Sequence, residues 1–386
     1  MTVGVATNSR EMSNYYHFDS GKDGKLSAAF DANFTKVRYF KWDDANMSKY
    51  FGPTQNYSLD VDYEMDQNNS LNLYLNYENT NQQFKKFTSA SGPFSYLGIY
   101  NVDRKSASLT YNGQNDNSNY MLSATYGELK KDVTSAMSAN SVGSSKFNFW
   151  NIEARDTIKL DNNNRLTFGG EFRTDGRKDS SIDESSDQYS LFIHDELKLG
   201  EKLLLIPAVR YDHHDSFGNE TSPNIGATYS FTEGSRLKAN YGEGYRAPSI
   251  SELYGTYSNP NLRPEKSKGY ELSYEQEFGD DTAIKLTYFK NKKTDAIAMD
   301  YSLAPNYQYM NIEKSSSEGV EFEIKHDLGN GFTVIGNYDY LDAMNDKTNT
   351  RLNYSARNTY TAKLMWTDPV KQEWNITAWN KWYSDY

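Results

Sequence analysis

Apolar and polar residues alternate with a period of two along most of this chain, the mark of half-buried strands. In "LNLYLNYE" (71–78), Leu71, Leu73, Leu75 and Tyr77 oppose Asn72, Asn76 and Glu78. In "VEFEIK" (320–325), Val320, Phe322 and Ile324 oppose Glu321, Glu323 and Lys325. In "GFTVIGNYDY", Phe332, Val334, Tyr338 and Tyr340 oppose Thr333, Asn337 and Asp339, and in "EWNITAW", Trp374, Ile376 and Ala378 oppose Asn375 and Thr377. No helical period of 3.6 is sustained. The pattern predicts about 19 strands, many of about 9–11 residues.

The connections carry a second pattern. Gly/Asn/Asp clusters suited to tight hairpins occur at "GKDGK", "MDQNNS", "GQNDNS", "DNNN", "GEK", "TEGS", "GDD", "LGNG" and "DPVKQ". Between them lie longer polar stretches, at about 41–54, 80–102, 129–145, 174–186, 212–221, 244–266, 292–305 and 342–356. Short and long connections alternate. In an antiparallel sheet every second connection lies on one side, so 80–102, 129–145 and 244–266 are expected on one rim, opposite "GKDGK" and "LGNG". Short turns on one side and long loops on the other characterise an outer-membrane β-barrel. Leu71, Leu73, Val320, Phe322, Ile324, Val334, Trp374 and Ile376 are then expected to face lipid. Asn72, Glu321, Glu323, Asn337 and Thr377 are expected to face the lumen. Aromatics near strand ends, such as Tyr15, Tyr16, Tyr39, Phe40, Trp382 and Tyr383, suit interfacial girdles.

Composition fits a wet interior. Hydrophobic residues make up only 37% of 386 residues, while 32 Tyr and 19 Phe lift the aromatic share to 15%. The mean hydropathy of -0.84 and the lack of a long apolar run exclude a helical membrane protein. The net charge of -11, spread along the chain, argues against a nucleic-acid partner. With no Cys, disulfides and thiolate chemistry are excluded.

One interruption stands out. "YGEGYRAPSISELYGTYSNPNLRPEKSKGYELSYEQEF" (241–278) starts as a strand, breaks at Pro248 and resumes at about Gly269. Pro248 is placed to open a short helix, Ser249 and Glu252 form an S-x-x-E capping pattern, and Gly255 can end the turn. Two ordered boxes lie here: Tyr245, Arg246, Ala247, Pro248, and then Asn259, Pro260, Asn261, Leu262, Arg263, Pro264, Glu265. In both content and spacing they resemble the boxes of TonB-dependent outer-membrane receptors. "LLLIPAVRYDHHDSFGNETSPNIGATYSF" upstream and "NIEKSSSEGVEFEIKHDLGNGFTVIGNYDYLDA" downstream extend the resemblance. It covers residues from roughly 190 onwards well and the first half in outline.

The resemblance implies an all-β, antiparallel transmembrane barrel of roughly 22 strands around an N-terminal plug. The plug bears a motif that the energy-transducing protein TonB grips by strand addition. Strand alternation begins within the first ten residues, so no plug or motif is expected within this chain, and about three closing strands are expected to follow "KWYSDY". The expectation is therefore a single barrel domain over 1–386, cut at both ends, with 2–7 and 371–383 both running outward beside a gap. TonB is expected as a partner only for a protein with its plug.

The implied activity is energised uptake of a scarce nutrient, such as a ferric siderophore or cobalamin, across the outer membrane. No enzyme activity or resident cofactor is expected. "SISELYGTYS", between the boxes, holds no His, which ranks haem lower. Two other readings stay open: a passive porin, and a surface β-protein binding glycans through Tyr-rich loops.

For the boxes, a rigid loop scaffold and direct ligand contact by Arg246, Tyr254 or Tyr257 both remain open. His213 and His214 in "YDHHDS" resemble a metal or haem site, but neighbours on a strand face opposite ways, so a solvated loop is expected. "DDANM" (43–47) and "SIDESSD" (181–187) could hold Ca²⁺, although neither has EF-hand spacing. No catalytic constellation is legible.

Overall fold

Side-chain turn chemistry marks five of the hairpins. Asp66, Asn115, Asp161, Asp327 and Asp368 each accept a hydrogen bond from the backbone N–H two residues on, at 2.6–3.0 Å. Such bonds between near neighbours favour chain reversal through local sequence alone. At 329–331, Gly329, Asn330 and Gly331 take φ of 79°, 51° and 82°. A Cβ on Gly331 would fall 1.9 Å from the Thr367 carbonyl oxygen. Gly331→Ala should therefore cost about 1–2 kcal/mol, read as a lower unfolding midpoint in detergent; an unchanged midpoint would refute this account of the turn.

The computed structural model describes residues 2–7, 11–43, 47–88, 94–135, 143–301, 307–352, 355–371 and 373–384. Among these, twenty strands form: β1 (Thr2–Thr7), β2 (Glu11–Asp23), β3 (Leu26–Asp43), β4 (Met47–Glu64), β5 (Asn69–Thr88), β6 (Phe94–Gln114), β7 (Ser118–Ser135), β8 (Gly143–Lys159), β9 (Asn164–Lys178), β10 (Asp183–Leu199), β11 (Leu203–His214), β12 (Gly218–Thr232), β13 (Ser235–Arg246), β14 (Glu265–Phe278), β15 (Thr282–Asp300), β16 (Gln308–Gly329), β17 (Phe332–Asn345), β18 (Thr350–Arg351), β19 (Asn358–Thr367) and β20 (Asn375–Ser384). One short helix, α1 (Ile250–Tyr254), lies between β13 and β14. β18 is a two-residue stub, so nineteen longer strands match the number expected from the sequence.

The chain divides into two compact units. One comprises Met1–Ile158, Phe168–Leu191 and His213–Gly218; the other comprises Lys159–Thr167, Phe192–Asp212 and Asn219–Tyr386. In the first, β1 to β8 form an antiparallel meander. In the second, β12 to β17 continue the pattern through β19 to β20.

Register sorts the faces. In the first unit Phe30, Leu59, Leu75, Ala107, Tyr126 and Trp150 form one cross-strand row. In the second, Tyr229, Leu237, Tyr274, Leu286, Phe322, Tyr338, Tyr360 and Trp382 form another. The row on the opposite face reads Lys238, Ser273, Thr287, Glu321, Asp339, Thr359. Val320, Phe322, Ile324, Val334 and Ile376 thus share a face, and Glu321, Glu323, Asn337 and Thr377 share the other. Trp374 precedes β20.

The apolar face is the exposed one. Leu272, Leu286 and Leu364 are 43–49% exposed, whereas only seven hydrophobic residues are buried among the described residues. A soluble sandwich would bury its apolar rows. Contiguous exposed apolar rows mark a lipid-facing surface, and this pattern overturns the reading as a soluble glycan-binding protein.

Within the second unit, alternation places the 247–264 connection and the 330–331 turn at opposite strand ends, as expected. The lengths are a correction. β5, β6, β15 and β16 run for 20, 21, 19 and 22 residues, twice what a crossing needs. Most of 80–102 and 292–305, read as loops, is ladder: β5 and β6 stay paired up to Thr88 and Phe94. Beyond lipid both sheet faces meet water, so strands there need no apolar side, and alternation loses its signal. Parts of the expected loops, at 44–46, 89–93, 136–142 and 302–306, lie outside the described residues.

Candidate outer-rim site

The stretch that leaves the ladder is 247–264. Ser249 is the N-cap of α1: its side chain accepts from the Glu252 N–H, and Glu252 returns a bond to the Ser249 N–H at 2.7 Å. Two orphan donors of a five-residue helix are thereby satisfied. Pro248 sits just before this cap, two places before the first helical position where a helix-opening proline is expected. Gly255 closes the turn through its N–H to the Ser251 carbonyl. Leu253 and Leu262, 3% and 5% exposed, pin the loop from below.

Arg246 organises the base. Its guanidinium donates to both carboxylate oxygens of Glu252 at 3.0 and 3.1 Å, and to Glu265 at 2.8 Å. Glu265 is only 4% exposed. It also accepts from the Ile297 N–H at 2.8 Å and faces the Lys293 ammonium at 2.8 Å. The Arg246 guanidinium, joined by Lys293 and the Ile297 amide, holds the Glu265 carboxyl down at about 2. Burial, with the Asp212 carboxylate beside it, pushes the Tyr245 phenol up. Arg246 and Glu265 thus tie the end of β13 to the start of β14 and to β15.

The second box clips the loop to β16. Asn259 accepts from the Asn261 N–H at 3.0 Å and donates to the Tyr309 carbonyl at 2.9 Å. The Arg263 N–H donates to Asn311 at 2.9 Å, and Asn311 donates back to the Arg263 carbonyl at 2.8 Å. A bulge in β15 around Asp295, whose φ is 53°, turns that carboxylate to the Arg263 guanidinium at 2.7 Å. Ala247 and Pro260 join these anchored segments, and Pro264 is buried beside Glu265.

What the scaffold presents is aromatic. Tyr254 and Tyr257 are 40% and 48% exposed. The ring of Tyr257 packs edge-on to Tyr307 at 5.9 Å, and Tyr307 packs on Tyr301 at 5.6 Å. Of the three residues put forward as ligand contacts, the two tyrosines are open, and Arg246 is engaged by two carboxylates. Tyr301 and Tyr307 were missed; their only sequence signal is the tyrosine density of "DYSLAPNYQY".

The His pair departs from expectation. His213 is exposed and His214 buried, so they do face apart, but His214 is not solvated. Its Nδ1 lies 3.1 Å from the Ser216 N–H and 3.0 Å from Asp215 Oδ1, and its Nε2 lies 2.8 Å from Ser186 Oγ. Ser186 in turn donates to Asp215 at 3.0 Å. Ser186, His214 and Asp215 thus form one compact polar cluster at the end of β11. Burial pushes the His214 pKa down, consistent with a neutral ring that holds the β11–β12 hairpin against β10. In the acidic cluster, Asp183 pairs with Lys178 and Asp187 accepts from Thr174. Among the described residues no three His, Asp or Glu converge as metal ligands.

A family model described as TonB dependent receptor-like, beta-barrel, matches residues 2–386. The chain belongs to the TonB-dependent receptor family. Its fold is accordingly an antiparallel transmembrane β-barrel of the outer membrane. The ferric enterobactin receptor PfeA of Pseudomonas aeruginosa superposes with a TM-score of 0.83 at 19% identity, covering 97% of this chain and 65% of that one. The siderophore receptor PirA of the same organism gives 0.78 at 16%, covering 97% and 68%. The FrpB iron transporter of Neisseria meningitidis gives 0.75 at 13%, covering 94% and 65%. The chain thus spans about two thirds of the length of these receptors.

Proposed function

We propose that this chain forms the wall and outer binding rim of a receptor that imports a scarce nutrient, foremost a ferric siderophore, by TonB-energised transport. The observation that carries the reading is the exposed tyrosine cluster held at the rim by the Arg246–Glu252–Glu265 scaffold. Tyr254 and Tyr257 are the ligand contacts; Arg246 acts as a positioning residue through Glu252 and Glu265. The family's membership of receptors and transporters favours this role over enzymatic chemistry and over passive diffusion, and cobalamin remains in the same ligand class of scarce chelates.

The test is saturable binding to the protein in outer-membrane vesicles, with ferric siderophores, cobalamin and haem as probes. A ferric siderophore is expected to bind most tightly. Its uptake by cells is expected to stop when a protonophore collapses the proton gradient. Absence of saturable binding across the panel, or uptake indifferent to the gradient, would overturn the proposal.

A further inference from the structure

The outward face of β14 and β15 carries its charge unevenly. By strand alternation, Lys266, Lys268, Tyr270, Leu272 and Tyr274 point outward on β14, and Leu286, Tyr288, Lys290, Lys292 and Thr294 on β15. Each strand thus passes from exposed apolar and aromatic residues to two lysines at the end nearest the 247–264 stretch. That is the height at which lipid tails give way to headgroups. Lys268 lies directly opposite Lys292 in the ladder, where like charges are unfavourable. No carboxylate shares this face of the two strands between 266 and 274 or between 286 and 294.

Flanking strands compensate in part. Glu243 of β13 holds Lys268 at 2.8 Å, Glu220 of β12 holds Lys266 at 3.0 Å, and Glu318 of β16 holds Lys290. Lys292 enters no ion pair among the described residues; it acts on Glu318 from farther off, and that carboxylate is already held by Lys290. Beyond β15 the face turns acidic: Glu318 and Asp342 lie opposite one another, with Lys314, Asp346 and Lys347 nearer the outer end. The first unit shows a matched arrangement. There Lys130 also faces Lys146, but Asp103 lies opposite Lys130 on its other side, and Asp132 and Glu128 pair with the two lysines at 3.1 and 2.9 Å.

We propose that Lys266, Lys268, Lys290 and Lys292 form a docking site for the phosphate group of an anionic lipid in the outer leaflet, whose chains lie over Leu272, Leu286, Tyr270 and Tyr288. The patch points away from the lumen, where Lys293 faces Glu265 instead. Its continuity with the exposed apolar row selects a lipid over a soluble anion. An ammonium held by one carboxylate keeps further N–H donors for phosphate oxygens, and each lysine at an anionic membrane surface adds to the attraction. The anion also relieves the repulsion between Lys268 and Lys292.

The experiment uses the protein folded in a zwitterionic detergent. Phosphatidic acid in mixed micelles is the probe, and phosphatidylcholine with the same chains is the control. Phosphatidic acid is expected to bind at least about tenfold more tightly. Lys292→Gln should weaken its binding about fivefold, Lys292→Arg should retain it, and Lys146→Gln, in the matched patch, should leave it unchanged. Without anionic lipid, Lys292→Gln should raise the unfolding midpoint, because Lys268 loses its like-charged neighbour; phosphatidic acid should remove that advantage. Equal affinity for the two lipids, or parental binding by Lys292→Gln, would overturn the proposal. So would full competition by inorganic phosphate at the lipid's own concentration, since the site would then take a soluble anion. A lower midpoint for Lys292→Gln in lipid-free detergent would make Lys292 a structural contact and overturn it as well.

Discussion

Glu265→Ala should destabilise the rim by about 2–3 kcal/mol, less than the full cost of breaking a buried pair because Arg246 and Lys293 are half exposed and water screens them. The substitution strips the Ile297 N–H of its acceptor and leaves two cations facing one another across the β13–β15 junction. Glu265→Gln should lose less, since its amide oxygen can still accept from Ile297. The readout is proteolysis of 247–264 in the folded protein; cleavage of the Ala variant at the parental rate would refute the anchoring role. The wild type carries a pH signature of the same bond. Glu265 titrates at about 2 in the folded chain against an ordinary 4.5. A depressed carboxyl contributes stability that is fully present above the ordinary value and lost as pH falls through the folded one. Loop protection should therefore fade between about pH 4.5 and 2 in the wild type, and this component should be missing in Glu265→Ala.

What was legible in the sequence was what is local. The two-residue alternation of Val320 to Lys325 reports the sheet faces because each residue's side is fixed by its neighbour. The Asp and Asn of the short turns report reversals because they bond two residues on. Ser249 and Glu252 announced the cap for the same reason. Three things were not legible. Strand length was underestimated because "NTNQQFKKFT" (79–88) has no apolar side once above lipid. The engagement of His214 depends on Ser186, 28 residues away. The edge-on contact of Tyr257 with Tyr307 spans fifty residues and is set by bonds from Gln308 and Tyr309, and nothing in either segment specifies the other. The left-handed conformation of Tyr257 is equally silent, since it is imposed by those remote clips and not by a glycine.

Phe322→Arg should block assembly where Glu321→Arg is tolerated, although the two positions are adjacent. Phe322 is the middle of three apolar residues on its face of β16, flanked in register by Leu286 and Tyr338. An arginine at the middle of the lipid band costs about 2–4 kcal/mol, falling toward zero near the interfaces. Membrane strands offer no alternative partner there, since lipid supplies neither water nor counter-charge. Glu321 faces the other way, directly opposite Asp339 and beside Thr287. Like charges opposite one another are unfavourable, so an arginine at 321 replaces a repulsive pair by an attractive one in a wet lumen. Refolding into lipid vesicles, followed by the mobility shift of folded against heat-unfolded protein on a gel, separates the two. Phe322→Arg should leave most of the chain unfolded, and Glu321→Arg should match the parent or exceed it slightly. Equal yields for both variants would mean that the apolar row does not face lipid, and the assignment of faces along β12 to β20 would fall with it.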